Sequence, residues 1–207
     1  MISPLGGVIK DHYATYVNAR TGQKEGHKAR LVLQLFVSSI FAIVLADLSE
    51  GLVSVVVTSL SILTGFSFSA MFPIASDIRS GLPAPSYSED RDDLERLAGL
   101  SSDFRANVSY FIPLTLICIM LFSFQLLDPV RPEFVNDLAS RAGENQFHFE
   151  KVFACIKYYF SAFLCGVSIF FFIEVIYSFY RMCFTVLYIL RIKEEYRASH
   201  AARERRE

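Results

Sequence analysis

Apolar residues fall in long blocks along this chain, and short polar stretches separate the blocks. The mostly apolar blocks occupy residues 31–46, 51–75, 108–127 and 152–190. A bilayer core about 30 Å thick is crossed by roughly 20 apolar residues in a helix, because backbone groups there must hydrogen-bond one another. The pattern therefore predicts an all-α integral membrane protein with four spans.

Polar segments divide these blocks and predict how the spans are connected. Only Asp-Leu-Ser-Glu separates the first two blocks, so residues 31–75 are predicted to form a transmembrane hairpin. The other polar segments are a basic leader at 1–30, an insert at 76–107, a loop at 128–151 and a charged tail at 191–207. Acidic side chains at 88–93, near the positive end of a helix dipole, predict that a helix begins inside the insert.

The last apolar block is too long for one upright span. As a helix, residues 152–190 would extend about 58 Å at 1.5 Å per residue. Lys157 and Arg181 lie about 36 Å apart on such a helix, and their long side chains can reach the two headgroup regions. We therefore place the fourth span at 158–180. The fold class predicted is a membrane four-helix bundle whose long C-terminal helix extends into the cytoplasm.

Charge decides the orientation of the chain and the classes of partner. The 20 Lys and Arg residues nearly balance the 21 Asp and Glu residues, so the charge gives no reason to expect a nucleic-acid partner. Fifteen of the 20 basic residues lie in the leader, the insert and the tail. Basic residues stay on the cytoplasmic side of a membrane. Both termini and the insert are therefore predicted on the cytoplasmic side of the membrane, with the loop outside.

Small residues lie along one face of the second span. Ser54, Thr58, Ser61, Gly65 and Ser69 are spaced four, three, four and four residues apart. Such residues let helices approach closely, and their hydroxyls can bond across the contact or line a wet path. We expect Ser61, Gly65 and Ser69 to serve helix packing, within the chain or between subunits, with a pore-lining stripe as the alternative.

A carboxylate and a guanidinium lie in the fourth apolar block. Glu174 precedes Arg181 by two helical turns, so the two share a face about 10 Å apart. A carboxylate is costly in hydrocarbon, and Glu174 should face protein or water. The two residues are candidates for gating or assembly. Gln34 and Gln125, also in apolar blocks, are expected to form hydrogen bonds that pack helices.

No pattern of a catalytic or metal site occurs. The four cysteines lie in or beside apolar blocks and never in C-x-x-C spacing, and the four histidines are scattered. Metalloprotease, nucleophile-elbow and phosphate-binding glycine motifs are missing from the sequence. We expect no catalytic residues, no metal and no cofactor, and therefore not an enzyme.

Three segments carry a resemblance to known proteins: DHYATYVNARTGQ in the leader, SLSILTGFSFSAMF in the second span and FRANVSYFIPLTLICIML at the third. In layout the chain resembles a diffuse group of small bacterial four-span membrane proteins, some of them in anti-phage defence systems. The resemblance implies a component of a defence or stress module in a bacterial inner membrane, which senses or permeabilises the membrane with a cytoplasmic protein partner. We expect this component to be homo-oligomeric. The alternatives are a constitutive ion channel or small-solute transporter, and a passive anchor for a soluble protein.

Overall fold

A computed structural model describes residues 3–15, 27–44, 48–71, 73, 81–85, 87–126 and 146–205. These residues form helices and no β-strand: α1 (Ser3–Ala14), α2 (His27–Val44), α3 (Glu50–Phe66), α4 (Ser88–Leu126) and α5 (Gln146–Glu204). A π-helical turn at Ser67–Met71 continues α3. The predicted all-α class is confirmed.

Three helical segments are long and apolar enough to cross a membrane. They are Glu50–Ser69, Asp90–Leu126 and Cys155–Arg203, and they overlap the predicted second, third and fourth spans. The first predicted span corresponds to α2, which is not one of the three. Its first turn carries Lys28 and Arg30, and the remaining residues 31–44 extend only about 21 Å.

Helix α4 joins two segments that the sequence pattern treats separately. It begins at Ser88, as the acidic residues predict, and runs through Pro113 to Leu126. The backbone N–H of Tyr87 donates a 3.2 Å hydrogen bond to the Asp90 carboxylate. This bond satisfies one of the backbone groups left unpaired at a helix start. The helical part of the insert and the third span are therefore one continuous helix.

Helix α5 has 59 residues, which corresponds to about 88 Å of helix. It covers the whole last apolar block without interruption and continues to Glu204, in agreement with the prediction that the block extends as a single helix. It begins at Gln146, so its first six residues fall in the segment predicted as the outer loop. A helix that has formed extends readily into its flanking residues, because each further residue adds one backbone hydrogen bond.

Parts of the predicted segments lie outside the described residues. They are 1–2 and 16–26 of the leader, 45–47 at the hairpin tip, 72, 74–80 and 86 around the insert, 127–145 near and in the loop, and 206–207 of the tail.

The chain divides into two compact units, of which the first comprises Met1–His27, Ser61–Thr115 and Glu174–Glu207. In this unit the Phe111 and Phe179 rings bring α4 and α5 together, with centroids 6.1 Å apart. The buried apolar residues of α5 here include a set spaced seven apart: Val175, Met182, Ile189 and Tyr196. The matching set on α4, also spaced seven apart, is Leu97, Phe104 and Phe111, and the buried Val108 lies one turn after Phe104. A seven-residue repeat keeps one face of a helix against the same neighbour.

The second unit comprises Lys28–Leu60 and Leu116–Ile173. Two glutamine side chains bond across helices in it: Gln34 donates to the Phe170 carbonyl at 2.6 Å, and Gln125 donates to the Ser168 hydroxyl at 2.6 Å. The predicted helix-packing role of both glutamines is confirmed. Buried apolar residues of this unit are Ala42, Val53, Leu60, Cys118, Phe122 and Cys165.

Helices α2 and α5 approach closely in the second unit at Gly166. A Cβ atom at this position would lie 3.0 Å from the Ala42 Cβ and 3.7 Å from the Ser38 carbonyl oxygen. Atoms at 3.0 Å are closer than ordinary van der Waals contact, which for carbon is about 3.5–4.0 Å. The absence of a side chain at Gly166 therefore sets the separation of these two helices.

Candidate functional site

The first unit contains a buried group of polar side chains where α1, α4 and α5 meet. We call His12, Thr15, Asn107 and Arg181 the polar cluster. His12 is 0% exposed and Asn107 is 1% exposed, although both carry polar groups. An isolated helix as short as α1, with 12 residues, is marginal in water. The docking of α1 therefore depends on contacts such as these.

His12 holds α1 against α4. Its Nδ1 lies 2.8 Å from the Asn107 Oδ1, so Nδ1 carries a proton and donates it to the amide oxygen. The imidazole also stacks on the Tyr110 ring, with centroids 3.8 Å apart and planes inclined by 14°. Removing either partner of a buried hydrogen bond leaves the other unsatisfied, which costs about 1–3 kcal/mol. The pair therefore fixes both the position of α1 and its rotation.

Arg181 holds the C-terminal end of α1 from α5. Its Nη2 donates a 2.8 Å hydrogen bond to the carbonyl of Thr15, the residue after the last helical position of α1. The Thr15 hydroxyl lies 2.7 Å from the His12 carbonyl, to which it donates. Carbonyls at a helix end lack partners within the helix, and a positive charge there is favourable for the dipole. Arg181 thus caps α1 from another helix.

Glu174, the other predicted gating residue, lies on the packed side of α5. It is 2% exposed in the first unit, and Ser178, one turn further along, is also buried. A carboxylate with so little exposure faces protein and not lipid. The structure therefore places Glu174 and Arg181 in the same unit, two turns apart on α5, and it places Arg181 in the polar cluster.

The small residues predicted to pack helices lie on an outward face. Ser61, Gly65 and Ser69 are all exposed, and Ser69 donates to the Gly65 carbonyl of its own helix at 2.8 Å. A Cβ atom built at Gly65 would meet nothing within 4 Å. Between Gly65 and Ser69, the buried Ser67 belongs to the π-helical turn and donates to the Leu63 carbonyl. The close approach seen at Gly166 is thus not repeated at Gly65.

The insert and the tail contact each other in the first unit. Arg203 forms a 2.9 Å salt bridge with Asp90, whose side chain is 3% exposed, and its guanidinium lies 4.8 Å from the Tyr87 ring centroid. The Tyr196 hydroxyl donates to the Pro83 carbonyl at 3.0 Å. Burial raises the pKa of the Tyr196 phenol above its usual range, and nearby Asp90 and Asp93 raise it further, so the hydroxyl keeps its proton. These residues form the insert–tail contact.

Gly81 allows the chain to turn beside the tail. Its φ of +69° lies in the left-handed region, which a side chain disfavours. A Cβ atom there would also lie 3.1 Å from an Arg197 guanidinium nitrogen. Glycine therefore serves both the turn and the close passage of the tail.

Replacing Asp90 with Asn is expected to destabilise the insert–tail contact by about 1–2 kcal/mol, because a buried hydrogen bond between charged groups is lost. We take the lower part of the usual range, because the Arg203 side chain is 34% exposed and water screens it. Thermal unfolding of the purified protein measures the change. Asp92→Asn, an exposed acid in the same helical turn, is the control and should leave stability within about 0.5 kcal/mol. Equal effects of the two variants contradict the prediction.

Three members of the polar cluster, His12, Thr15 and Asn107, are not predicted from the sequence. In the sequence, His12 is only one of four scattered histidines, and Asn107 is the end of the insert. No local signal singles out His12, because the neighbouring Ile9 on the short helix is 42% exposed and Tyr13 is half-buried. None singles out Asn107 either, because an asparagine at a span boundary is common. Their contact joins residues 95 positions apart, which spacing alone does not reveal.

Among residues that the structure describes, no group of three or more His, Cys, Asp or Glu side chains is placed to hold a metal ion. Comparison of the chain with protein-family models, with curated proteins and with solved structures finds no match. The case for a function therefore depends on the geometry above.

Proposed function

We propose that this chain is an integral membrane protein of four spans, with α2 as the first. Three helical segments have the length and composition to cross a bilayer. On α2, the side chains of Val32, Ile43 and Val44 are 68%, 74% and 72% exposed. Soluble proteins rarely expose large contiguous apolar patches, whereas lipid covers them at no cost. The short apolar part of α2 is accommodated by local thinning of the bilayer and by Lys28 and Arg30 reaching the headgroups.

In the proposed orientation the spans cross a bacterial inner membrane, and both termini and the insert lie in the cytoplasm. The distribution of basic residues supports it, since positive loops remain inside. The insert–tail contact also supports it, because α4 residues of the insert and α5 residues of the tail meet and must lie on one side.

Within the membrane we propose that the chain is a homo-oligomeric component that senses or permeabilises the bilayer together with a cytoplasmic protein. The observation that carries this role is the polar cluster, because it ties a short leader helix to two long helices through buried hydrogen bonds. A short helix held this way has two discrete arrangements, docked and released, and a ligand or partner that favours one shifts the population. Such a change at α1 is transmitted to α4 and α5 through Asn107 and Arg181.

The exposed face of Ser61, Gly65 and Ser69 supplies a proposed contact between subunits. Small side chains permit close helix approach in membranes, and this face has room for a neighbour at Gly65. Membership of a defence or stress module follows from the layout resemblance, and the insert–tail contact is the proposed meeting point with the cytoplasmic partner.

Two substitutions test this role. We expect Glu174→Gln to alter the permeability of liposomes that contain the protein and its partner, because it replaces a buried carboxyl group on the packed side of α5 with an amide. We expect Gly65→Leu to reduce oligomer size, because the new side chain blocks close helix approach. Dye release measures the permeability, and light scattering in detergent measures the oligomer size. Gly99→Leu, at an exposed glycine of α4, is the control for oligomer size.

The proposal fails if both variants keep the native oligomer size, permeability and cellular phenotype. Flux through liposomes without any partner supports a constitutive channel instead. Full function after replacement of the spans by an unrelated anchor supports a passive anchor. Extraction from membranes by alkaline carbonate tests membrane insertion separately, and release of the chain into the soluble fraction contradicts it.

A further inference from the structure

Helix α5 presents a second apolar side in the first unit, away from its buried residues. Its exposed apolar side chains between residues 174 and 190 are Ile176, Tyr180, Phe184, Leu187 and Leu190, which we call the outer face. They are spaced four, four, three and three residues apart and so lie on one side of the helix. Tyr180 and Leu187 are 59% and 60% exposed. The Tyr180 and Phe184 rings contact each other, with centroids 4.5 Å apart.

Coiled-coil spacing appears when Cys183, which is half-buried, is taken in place of Phe184. The intervals are then four, three, four and three, and the residues of this seam are Ile176, Tyr180, Cys183, Leu187 and Leu190. Apolar residues at this spacing pack knobs-into-holes against a second helix. The buried set of α5, which contains Val175, Met182 and Ile189, occupies a different side. Helix α5 therefore has two apolar sides, one of which is covered within the chain.

Lipid does not account for the outer face. In the first unit Arg96 donates to the Tyr188 hydroxyl and Phe111 contacts Phe179, so α4 residues 96–111 lie alongside α5 residues 179–188. The exposed charged side chains on that stretch of α4 are Arg96, Asp103 and Arg105. Charges at the depth of the hydrocarbon core are costly. Most of the outer face therefore lies at the level of exposed charges, beyond the lipid core.

We propose that the outer face binds the same face of a second copy of this chain, as a parallel α5–α5 pair. This inference rests on the proposed membrane insertion, because all copies inserted with one topology present α5 in the same direction. A self-complementary face that repeats at intervals of three and four then meets its own equivalent residues in register. The seam ends at the next seam positions, Glu194 and Arg197, where like charges of two copies would meet.

The area of the outer face is small and suits copies that a membrane already holds close together. Aromatic side chains bury about 150–250 Å² each, so half-exposed Tyr180 and Phe184 offer roughly 100 Å² apiece. With three aliphatic side chains, the face offers on the order of 400 Å² per copy, about half of the roughly 800 Å² typical of a stable partner surface. Copies confined and co-oriented by the bilayer have a high effective concentration, which compensates for the small area.

Cysteine cross-linking in native membranes tests the proposal on the full chain. The chain with Cys118→Ala, Cys155→Ser and Cys165→Ala retains Cys183, which lies in the seam. We expect mild oxidation to convert most of it to a disulfide-linked dimer. The matched control adds Cys183→Ser and Thr185→Cys, which moves a half-buried thiol two residues along and about 200° around the helix. We expect its dimer yield to be at least about fivefold lower.

A charge placed in the seam gives a second measurement in the otherwise native chain. Leu187→Glu is expected to abolish the α5–α5 pair, whereas Ala202→Glu, at an exposed position of α5 about 80° around the helix from the seam, is expected to leave it intact. Light scattering in lipid nanodiscs reports the number of chains that each variant contains. If the cysteine variants do not fold, this measurement alone tests the proposed pair.

Equal cross-linking at positions 183 and 185, or an unchanged chain number for Leu187→Glu, overturns the proposed pair. Recovery of a heteromeric complex that Leu187→Glu disrupts, while the chain itself stays single, assigns the outer face to another protein and also overturns it. Either result leaves the proposed membrane insertion standing if carbonate extraction still retains the chain in the membrane.

Discussion

Replacing Gly166 with Leu is expected to lower the thermal midpoint of the protein by roughly 5–10 °C. A Cβ atom at this position lies 3.0 Å from the Ala42 Cβ, which is attached directly to the α2 backbone and cannot rotate away. The helices must therefore separate. Overpacking of this kind costs about 1–3 kcal/mol, and each kcal/mol shifts the midpoint of a chain of this size by about 2–4 °C.

Gly99→Leu is the matched control for this prediction. Gly99 also lies inside a long helix, but a Cβ atom there meets nothing within 4 Å. Leucine is the better helix former, so the control is expected to keep or raise the midpoint. Differential scanning fluorimetry in one detergent compares the three proteins. A midpoint of Gly166→Leu equal to that of the control shows that α2 and α5 do not approach closely at this glycine.

Replacing Arg181 with Met is expected to release α1. The substitution removes the charged donor to the Thr15 carbonyl and keeps a long apolar side chain on α5. A hydrogen bond to a charged group contributes about 1.5–3 kcal/mol, and 1.4 kcal/mol corresponds to tenfold in an equilibrium. Amide hydrogen exchange in α1 should therefore accelerate about 10- to 100-fold, because exchange reports the local opening of a segment.

Arg191→Met controls for the loss of an arginine from the same helix. Arg191 is exposed and forms a 2.8 Å salt bridge with Glu195 one turn away, which contributes little. Exchange in α1 should match that of the native chain in this variant. If Arg181→Met also leaves α1 exchange unchanged while α5 stays protected, the polar cluster does not hold α1.

The positions of the helices follow closely from the sequence. Three of four apolar blocks coincide with helical segments able to span a membrane, since length and hydropathy are properties of the local sequence. The acidic run at 88–93 marks the start of α4 for a similar reason, because caps and dipoles act within one turn. The first block, residues 31–46, is not among the three: its described part follows the basic first turn of α2 within an 18-residue helix.

The candidate site is only partly predictable. Glu174 and Arg181 stand out because charges in an apolar block need a reason to be there. His12 and Asn107 do not stand out, since each is unremarkable in its own segment and their contact spans 95 positions. Gly166 was also missed, although Ala162 precedes it by four residues in the small-residue spacing that permits close helix contact.

The sequence by itself determined that this chain is helical, where its apolar segments lie and which charges interrupt them. Only the tertiary structure decided which side of each helix is covered. In α5 apolar side chains occur around the whole circumference, so the spacing of residues is compatible with several packed faces. Which faces of α5 are packed depends on helices distant in sequence. These are α4 and α1 in the first unit, and α2 at Gly166 in the second.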